Sequence, residues 1–300
     1  MKLYNKTKNS VTLLKEIPFK LEREIQTLFE SQLPELLGLQ LVKSEFSIKN
    51  RRIDTLAFDT QSNAFVIIEY KRSKSNSVVD QGFTYLNLML ENKADFIIEY
   101  NETCIGKMQR KDVDWSQTRV IFVSTSFTEN QKLATNFKDI AIELYEVKQY
   151  EGGIIAINPI KKSSSATSIK PLTEKNEAIN KVAREIKVYT EEDHLTNISD
   201  EITELYQSFK DAIQNLADNI EIVPRKQQIG FRHNGIICDI HIQKKGLKMW
   251  INLKKDNIDD PKQITRDVSQ TGHWGNGDYE LLITNTNNLE YIMSLVKQAL

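Results

Sequence analysis

Two carboxylates lie at positions where a pair of antiparallel strands would bring them together. Residues 52–59 (RIDTLAFD) and 64–71 (AFVIIEYK) are separated by a short polar turn centred on Gln61–Ser62. Because side chains alternate along a strand, a hairpin of these segments places one set of side chains on a single face. The pairing matches like with like: Asp54 with Glu69, Leu56 with Ile67, and Phe58 with Phe65. The sequence therefore predicts two opposed carboxylates with mostly apolar neighbours.

Opposed carboxylates of this kind favour a bound cation. Facing residues in an antiparallel pair have Cβ atoms about 5 Å apart, and two negative charges that close together repel each other. Oxygen ligands suit Mg²⁺ or Mn²⁺, which also accept phosphate oxygens of a substrate. Lys71 follows Glu69 on the same face, where its ammonium could orient an attacking water or stabilise charge developing on phosphorus. This arrangement suits metal-assisted hydrolysis of a phosphodiester.

The same residues have a simpler structural interpretation. A Glu and a Lys two residues apart at a strand end commonly form a surface ion pair, and Glu-x-Lys occurs by chance in many proteins. Against this alternative, Glu69 closes an apolar run that is typical of a buried central strand.

Further polar residues lie on the neighbouring helices. Gln81 and Tyr85 open the helix that follows the second strand, and their spacing of four puts them on one helical face. An acidic residue on the first helix could join them. Glu22 and Glu24 both flank its apolar face, so helical periodicity does not choose between them.

The elements that must position these residues follow an α/β order in the first half. Apolar periodicity and turn residues predict helices at 19–37, 78–91 and 129–137, and strands at 44–48, 52–59, 64–71, 96–100, 119–125 and 140–146. We expect a first domain at 1–160.

A Ser-rich, Pro-containing stretch at 161–171 separates the two halves and is typical of an exposed linker. We expect a linker and helical connector at 161–189 and a smaller α+β domain at 190–300. The predicted elements of the second half are a helical approach at 175–189, a helix at 200–216, strands at 220–223, 228–232, 236–242, 247–253 and 279–284, a short helix after Pro261 and a C-terminal helix from about Leu289.

The combined pattern of the first half resembles the PD-(D/E)XK nuclease superfamily. The order is an acid on the first helix, Asp54, Glu69-x-Lys71 and Gln81-x-x-x-Tyr85. It is most similar to the RecB-like and NucS-like branches, and the resemblance covers about residues 19–150. The Pro that usually precedes the Asp is replaced by Ile53, as in many members.

The resemblance implies a restriction-endonuclease-like fold, a mixed sheet flanked by helices, and a Mg²⁺- or Mn²⁺-dependent nuclease. Asp54 and Glu69 would bind the metal and Lys71 would serve catalysis. Gln81 and Tyr85 would support the site or the substrate backbone. The helix-one acid maps best to Glu22, and Glu24 stays open. Nucleic acid would be the partner, with DNA favoured over RNA, and its backbone would contact nearby basic residues: Arg51, Arg52, Arg72 and Lys74. Dimerisation is also implied as a possibility.

The second half resembles an uncharacterised domain often attached to such nuclease-like modules. The similarity lies in residues 250–255, 266–269 and 272–279. His273 and Trp274 could stack a base or hold a phosphate with Arg266 and Lys254. Our preferred alternative is a tight glycine-containing loop with Trp274 in the core. Cys238 is expected in the core, and the other histidines show no metal-ligand spacing: His194, His233 and His241.

Composition restricts the remaining functions. The 300 residues carry 40 Lys+Arg and 41 Asp+Glu, a net charge of −1, which excludes nucleic-acid binding by bulk positive charge but not by a local basic groove. No apolar run is long enough to cross a bilayer, and no secretion signal is evident, so we expect a cytoplasmic protein without membrane contact. Two rivals remain: a catalytically silent nuclease-fold module that binds nucleic acid or a protein, and a regulatory protein whose second domain is the active part.

Overall fold

The computed structural model of the protein describes residues 2–72, 78–163, 165–169, 177–271 and 275–300. The chain divides into two compact units, Met1–Val188 and Tyr189–Leu300. None of the described helices is long and apolar enough to cross a membrane.

The first unit is built on a mixed sheet. Its strands are β1 Tyr4–Lys6, β2 Val11–Leu13, β3 Glu16–Ile17, β4 Gln40–Ile48, β5 Arg51–Asp59, β6 Ala64–Lys71, β7 Arg119–Ser124, β8 Ile142–Tyr150 and β9 Ile154–Pro159. The sheet order is β3–β8–β7–β6–β5–β4, with β9 paired to β8 and with β1–β2 forming a separate hairpin. Strands β6, β7 and β8 are parallel, and the remaining pairs are antiparallel.

Helices cover both faces of this sheet. They are α1 Glu22–Ser31, α2 Leu33–Leu37, α3 Val78–Glu91, α4 Lys93–Thr103, α5 Glu129–Thr135 and α6 Glu177–Glu185. On one face Ile25 and Phe29 of α1 pack against Val66 and Ile68 of β6. On the other face α3, α4 and α6 contribute to a second core cluster with β4, β5 and β6. The segment expected to be a connector thus includes α6, whose Val182 is buried in that core.

The predicted β5–β6 register is confirmed. Leu56 pairs with Ile67 and Phe58 pairs with Phe65. This register follows from local features, a polar turn and strict alternation of side chains, that need no distant partner.

Two predicted elements of the first unit are wrong. The single helix at 19–37 is instead two helices, because the chain leaves helical geometry at Gln32, two residues before Pro34. The predicted strand at 96–100 is part of α4. Phe96 and Tyr100 lie four apart on its inner face, and both rings contact Phe65. Tertiary packing therefore overrides the strand propensity of this aromatic and β-branched run. Strands β1, β2, β3 and β9 were not predicted.

The second unit is an antiparallel sheet with helices on one face. Its elements are α7 Glu191–Leu195, α8 Asp200–Gln214, β10 Glu221–Pro224, β11 Ile229–Arg232, β12 Ile236–Gln243, β13 Gly246–Ile251, β14 Arg266–Asp267, β15 Tyr279–Ile283 and α9 Leu289–Val296. The sheet order is β10–β11–β12–β13–β15–β14. Apolar side chains of α8 and α9 pack on this sheet, and Cys238 is buried among them as predicted.

The helix predicted after Pro261 is wrong. Residues 261–262 form a turn, and the short strand β14 follows. The Asp260 carboxylate accepts hydrogen bonds from Thr265 and from the Tyr291 hydroxyl, and these contacts fix an irregular segment. The overall class predicted from the sequence is confirmed: a mixed sheet flanked by helices, followed by a smaller α+β unit.

Candidate active site

Asp54 and Glu69 lie next to each other one residue beyond the β5–β6 ladder, which ends at the pair Thr55–Ile68. The backbone N–H of Asp54 donates a hydrogen bond of 3.3 Å to Oε1 of Glu69. The Oδ2 atom of Asp54 accepts one of 3.0 Å from the N–H of Tyr70. Glu69 is only 2% exposed although it carries a carboxylate. The strand ends thus bring together a buried carboxylate, Glu69, and a half-buried one, Asp54.

Three more of the predicted site residues contact this pair or each other. The ammonium of Lys71 is 3.2 Å from Oε2 of Glu69. The Gln81 amide donates to the same Oε2 at 2.9 Å and to the Tyr85 hydroxyl at 3.1 Å. The Tyr85 hydroxyl in turn donates to the Arg52 carbonyl at 3.4 Å. Residues from two strands and one helix therefore form one hydrogen-bonded group around Glu69.

The close approach of α3 to the sheet depends on a glycine. Gly82 follows Gln81, and a Cβ at this position would come within 2.5 Å of the Ile142 side chain. The absence of a side chain lets the first turn of α3 lie against the sheet, which brings the Gln81 amide to Glu69.

The two candidate acids of helix α1 have different surroundings. Oε1 of Glu22 accepts a hydrogen bond of 3.0 Å from the backbone N–H of Arg72, the residue after Lys71. Oε2 of Glu24 accepts one of 2.8 Å from the backbone N–H of Lys20, two residues before the start of its own helix. Glu22 is therefore the acid that lies at the end of β6. The Glu24 carboxylate instead accepts a hydrogen bond from the backbone just before α1.

Sequence reasoning missed one buried contact to the site. The amide of Gln26 donates to the backbone carbonyl of Asp54 at 2.9 Å and to Oε1 of Glu30 at 3.0 Å. Glu30 also accepts from the hydroxyl of Thr55. Gln26 is buried, and it joins α1 directly to the strand that carries Asp54. The feature of the sequence that could have indicated this contact is the pair Gln26 and Glu30, two polar residues four apart beside the apolar face of a helix.

Burial and repulsion change the ionisation of the site. The pKa of Asp54 rises from 3.8 to about 6, first because burial disfavours the charged form and second because the Glu69 carboxylate is close. The Tyr70 N–H and the Lys71 ammonium oppose this rise. Burial, together with the charge of Glu69, also raises the pKa of Tyr85. The site consequently favours a proton or a cation beside the two carboxylates.

The donor set suits a hard divalent cation. Asp54 and Glu69 offer only oxygen atoms, and their mutual repulsion would be relieved by positive charge. Within the described ranges no group of three or more His, Cys, Asp or Glu side chains is gathered for a metal. Two carboxylates are nevertheless sufficient for Mg²⁺, which keeps several waters and takes further ligands from substrate phosphates.

Comparison with known proteins places the chain in a family. An uncharacterized protein of Haemophilus influenzae is 55% identical over 300 residues, covering 100% of this chain and 99% of the relative. The chain belongs to the same family as this Haemophilus influenzae protein. Residues 191–300 match the model of a domain of unknown function, DUF5655.

A solved structure of Pyrococcus furiosus SfsA in complex with Ca²⁺ also aligns with part of the chain. It is 16% identical and covers 52% of this chain and 72% of SfsA, with a TM-score of 0.26. A similarity of that size supports no argument about this protein.

The basic residues that were predicted to contact the nucleic-acid backbone differ in their surroundings. Arg52 is exposed and forms an ion pair of 2.8 Å with Glu45, which also pairs with Arg23 at 2.9 Å. Arg51 is exposed at the start of β5. Lys74 lies outside the described residues.

In the DUF5655 unit the predicted loop is described only in part, because residues 272–274, including His273 and Trp274, lie outside the described residues. Just after them, the backbone N–H of Asn276 donates to Oδ2 of Asp239 at 2.6 Å. Gly275 lies against the ring of Trp250, where a Cβ would collide with the indole. The role of this loop therefore stays a prediction.

Proposed function

We propose that the protein is a metal-dependent nuclease that hydrolyses phosphodiester bonds in the cytoplasm, with DNA favoured over RNA. The observation that supports this proposal most is the buried group in which Asp54 and Glu69 lie together while Lys71 and Gln81 both donate to Glu69. A surface ion pair would leave Glu69 exposed and would not require an amide from a second element. The buried arrangement is therefore better explained by chemistry than by solubility.

Each residue has a distinct task in this proposal. Asp54 and Glu69 would hold Mg²⁺ or Mn²⁺, which supplies positive charge to the scissile phosphate. An ammonium carries three donors, so Lys71 can contact Glu69 and still donate to an attacking water or a phosphate oxygen. Gln81 orients the Glu69 carboxylate, and Tyr85 holds Gln81 in place. Glu22 fixes the backbone just after Lys71.

A cleavage assay tests the proposal. Labelled single-stranded, double-stranded and forked DNA, and a matched RNA, are incubated with Mg²⁺ or Mn²⁺ and with wild type, Asp54→Asn, Glu69→Gln or Lys71→Met. We expect a loss of at least about 100-fold in the cleavage rate for each variant, because each removes charge that acts in the transition state. Glu185→Gln is the matched control, since it removes a carboxylate from an exposed ion pair with Lys93. Its rate should equal that of wild type.

The outcomes separate the rival interpretations. Cleavage that requires metal and disappears in the three site variants but not in the control supports the enzyme. If folded wild type binds metal but cuts none of the substrates, the hydrolytic function is rejected in favour of a silent module that binds nucleic acid or a protein. Sedimentation of the same samples measures whether the protein is the homodimer that the family resemblance implies.

A further inference from the structure

The N-terminal hairpin β1–β2 concentrates positive charge in a chain with a net charge of −1. Residues 2–15 contain four lysines and no acidic residue: Lys2, Lys6, Lys8 and Lys15. All four are exposed. This segment is therefore locally basic although the net charge of the whole chain is close to zero. It is separate from the group of residues around Glu69.

One face of this hairpin mixes lysines with exposed apolar side chains. Tyr4 pairs with Leu13 and Lys6 pairs with Val11, so these four side chains share a face. Tyr4 is 53% exposed, Val11 62% and Leu13 53%. A backbone hydrogen bond of 2.9 Å from Leu14 to Leu3 extends the register. In that register the next pair on the mixed face is Lys2 with Lys15, and Lys8 lies in the turn.

The hairpin emerges at the same edge of the sheet as the candidate active site. Lys71 pairs with Ser124 and Ser124 pairs with Glu146 across the parallel strands, while Tyr150, four residues further along β8, pairs with Glu16. With about 3.3 Å per residue along a strand and about 4.8 Å between strands, the base of the hairpin is roughly 15 Å from Lys71. That distance is about half a turn of B-form DNA.

An open cleft of about 320 Å³ lies beside β3 and reaches the end of β6. Its lining includes Phe19, Arg72 and Thr125, together with Lys148 and Glu16, which form an ion pair of 2.9 Å. The chain thus offers a continuous path from the residue after Lys71, along the cleft, to the strand that leads into the hairpin.

We infer that the hairpin of residues 2–15 is a docking element for double-stranded DNA, which it holds while the duplex extends to the site around Glu69. This inference rests on the proposed nuclease function and adds the substrate class. A two-stranded β-ribbon fits the major groove, and lysines along it can contact the flanking phosphates while Tyr4 and Leu13 lie against the bases and sugars. A second copy of the chain fits this face less well, because the three lysines of the face would lie opposite those of the copy.

A binding titration without divalent metal tests the inference independently of hydrolysis. Fluorescence anisotropy of a labelled 20-base-pair duplex is measured in EDTA across a range of salt concentrations. Lys6→Gln/Lys8→Gln should weaken binding by about 10- to 100-fold at 0.1 M salt, and the slope of log K against log salt should fall by about 2, since each phosphate contact contributes about 0.9.

The matched control removes two exposed lysines at the opposite sheet edge. Lys107 and Lys111 flank the start of a short 3₁₀ turn before β7, and the backbone N–H of Asp114, just after this turn, donates to the carbonyl of Asn63 in the β5–β6 turn. Lys107→Gln/Lys111→Gln should leave the affinity unchanged within about twofold. A second hairpin variant, Tyr4→Ser/Leu13→Ser, should weaken binding without changing the salt slope. Thermal melts verify that each variant is folded.

Three results would overturn the inference: no duplex binding by wild type, equal losses in the hairpin and control variants, or a change of oligomeric state in Tyr4→Ser/Leu13→Ser with unchanged DNA affinity. The last result would identify the hairpin as a self-association surface. Failure of the nuclease proposal is recognised separately, because wild type would then bind the duplex through the hairpin but would not cut it when Mg²⁺ is supplied.

Discussion

Removing the charge of Asp54 should stabilise the metal-free protein above pH 6. Asp54→Asn keeps an oxygen that can accept the hydrogen bond from the Tyr70 N–H, so the substitution changes charge and little else. In wild type, ionisation of Asp54 places a second negative charge, at a half-buried position, beside the buried carboxylate of Glu69. The asparagine variant avoids this repulsion, and its free energy of unfolding should therefore be higher than that of wild type at neutral pH.

The magnitude follows from the pKa of Asp54, which folding raises from 3.8 to about 6. Between these values the folded protein binds more protons than the unfolded chain, so the contribution of Asp54 to stability falls as the pH rises and is constant above about 6. At about 1.4 kcal/mol per pH unit, the loss is about 3 kcal/mol. Since Asp54 is only half-buried, we expect about 2 kcal/mol after allowance for solvent screening.

The assay is urea unfolding in EDTA at pH 4.0, 5.0, 6.0, 7.0 and 8.0 for wild type and Asp54→Asn. Subtracting the two profiles removes the titration of the groups that do not interact with Asp54, and the difference should grow from near zero at pH 4 to about 2 kcal/mol at pH 7. Asp95→Asn, which changes an exposed aspartate, should parallel wild type at every pH. Parallel profiles for wild type and Asp54→Asn would refute the reasoning, because Asp54 would then not be perturbed by burial and by Glu69.

Two further predictions concern the support of the site and the fold of the DUF5655 unit. Gln26→Leu removes the donor to the Asp54 carbonyl, and we expect the apparent affinity for Mn²⁺, measured by titration calorimetry, to fall about tenfold, by analogy with other residues that hold a ligand in place. An unchanged affinity would show that the backbone of Asp54 needs no such support. Gly277→Ala should lower the free energy of unfolding by about 3 kcal/mol in chemical denaturation, because a Cβ would collide with the Ile251 carbonyl and φ is +94°. Gly152→Ala, at φ +82° in open space, should cost only about 1 kcal/mol, and equal losses at both glycines would contradict the argument from collision.

Several features of the fold were accessible from local patterns. The β5–β6 register could be predicted because its turn, its alternation and its matched side chains all lie within one short segment. The long helix α8 was predicted from its apolar stripe, and Ile202, Leu205, Phe209 and Ile213 are buried as that stripe requires. Both the strand register and the helix are determined by residues that are close together in the sequence.

Other features depend on partners that are distant in sequence. The run around Phe96 has strand propensity, yet it is helical, and in the helix Phe96 and Tyr100 lie four residues apart on one face and both contact Phe65. The edge strands β3 and β9 are defined by pairing with β8, and their own short sequences contain no strong signal.

For the candidate site, the sequence by itself determined which residue types could do the chemistry and that Asp54, Glu69 and Lys71 share an end of one hairpin. Only the tertiary structure decided which acid of α1 lies at β6, since Glu22 and Glu24 have equivalent positions relative to the apolar stripe. It also decided that Gln26 holds the Asp54 carbonyl. The physical reason is that side-chain alternation is a local property of a strand, whereas the contacts of α1 depend on how a helix packs against a sheet formed later in the chain.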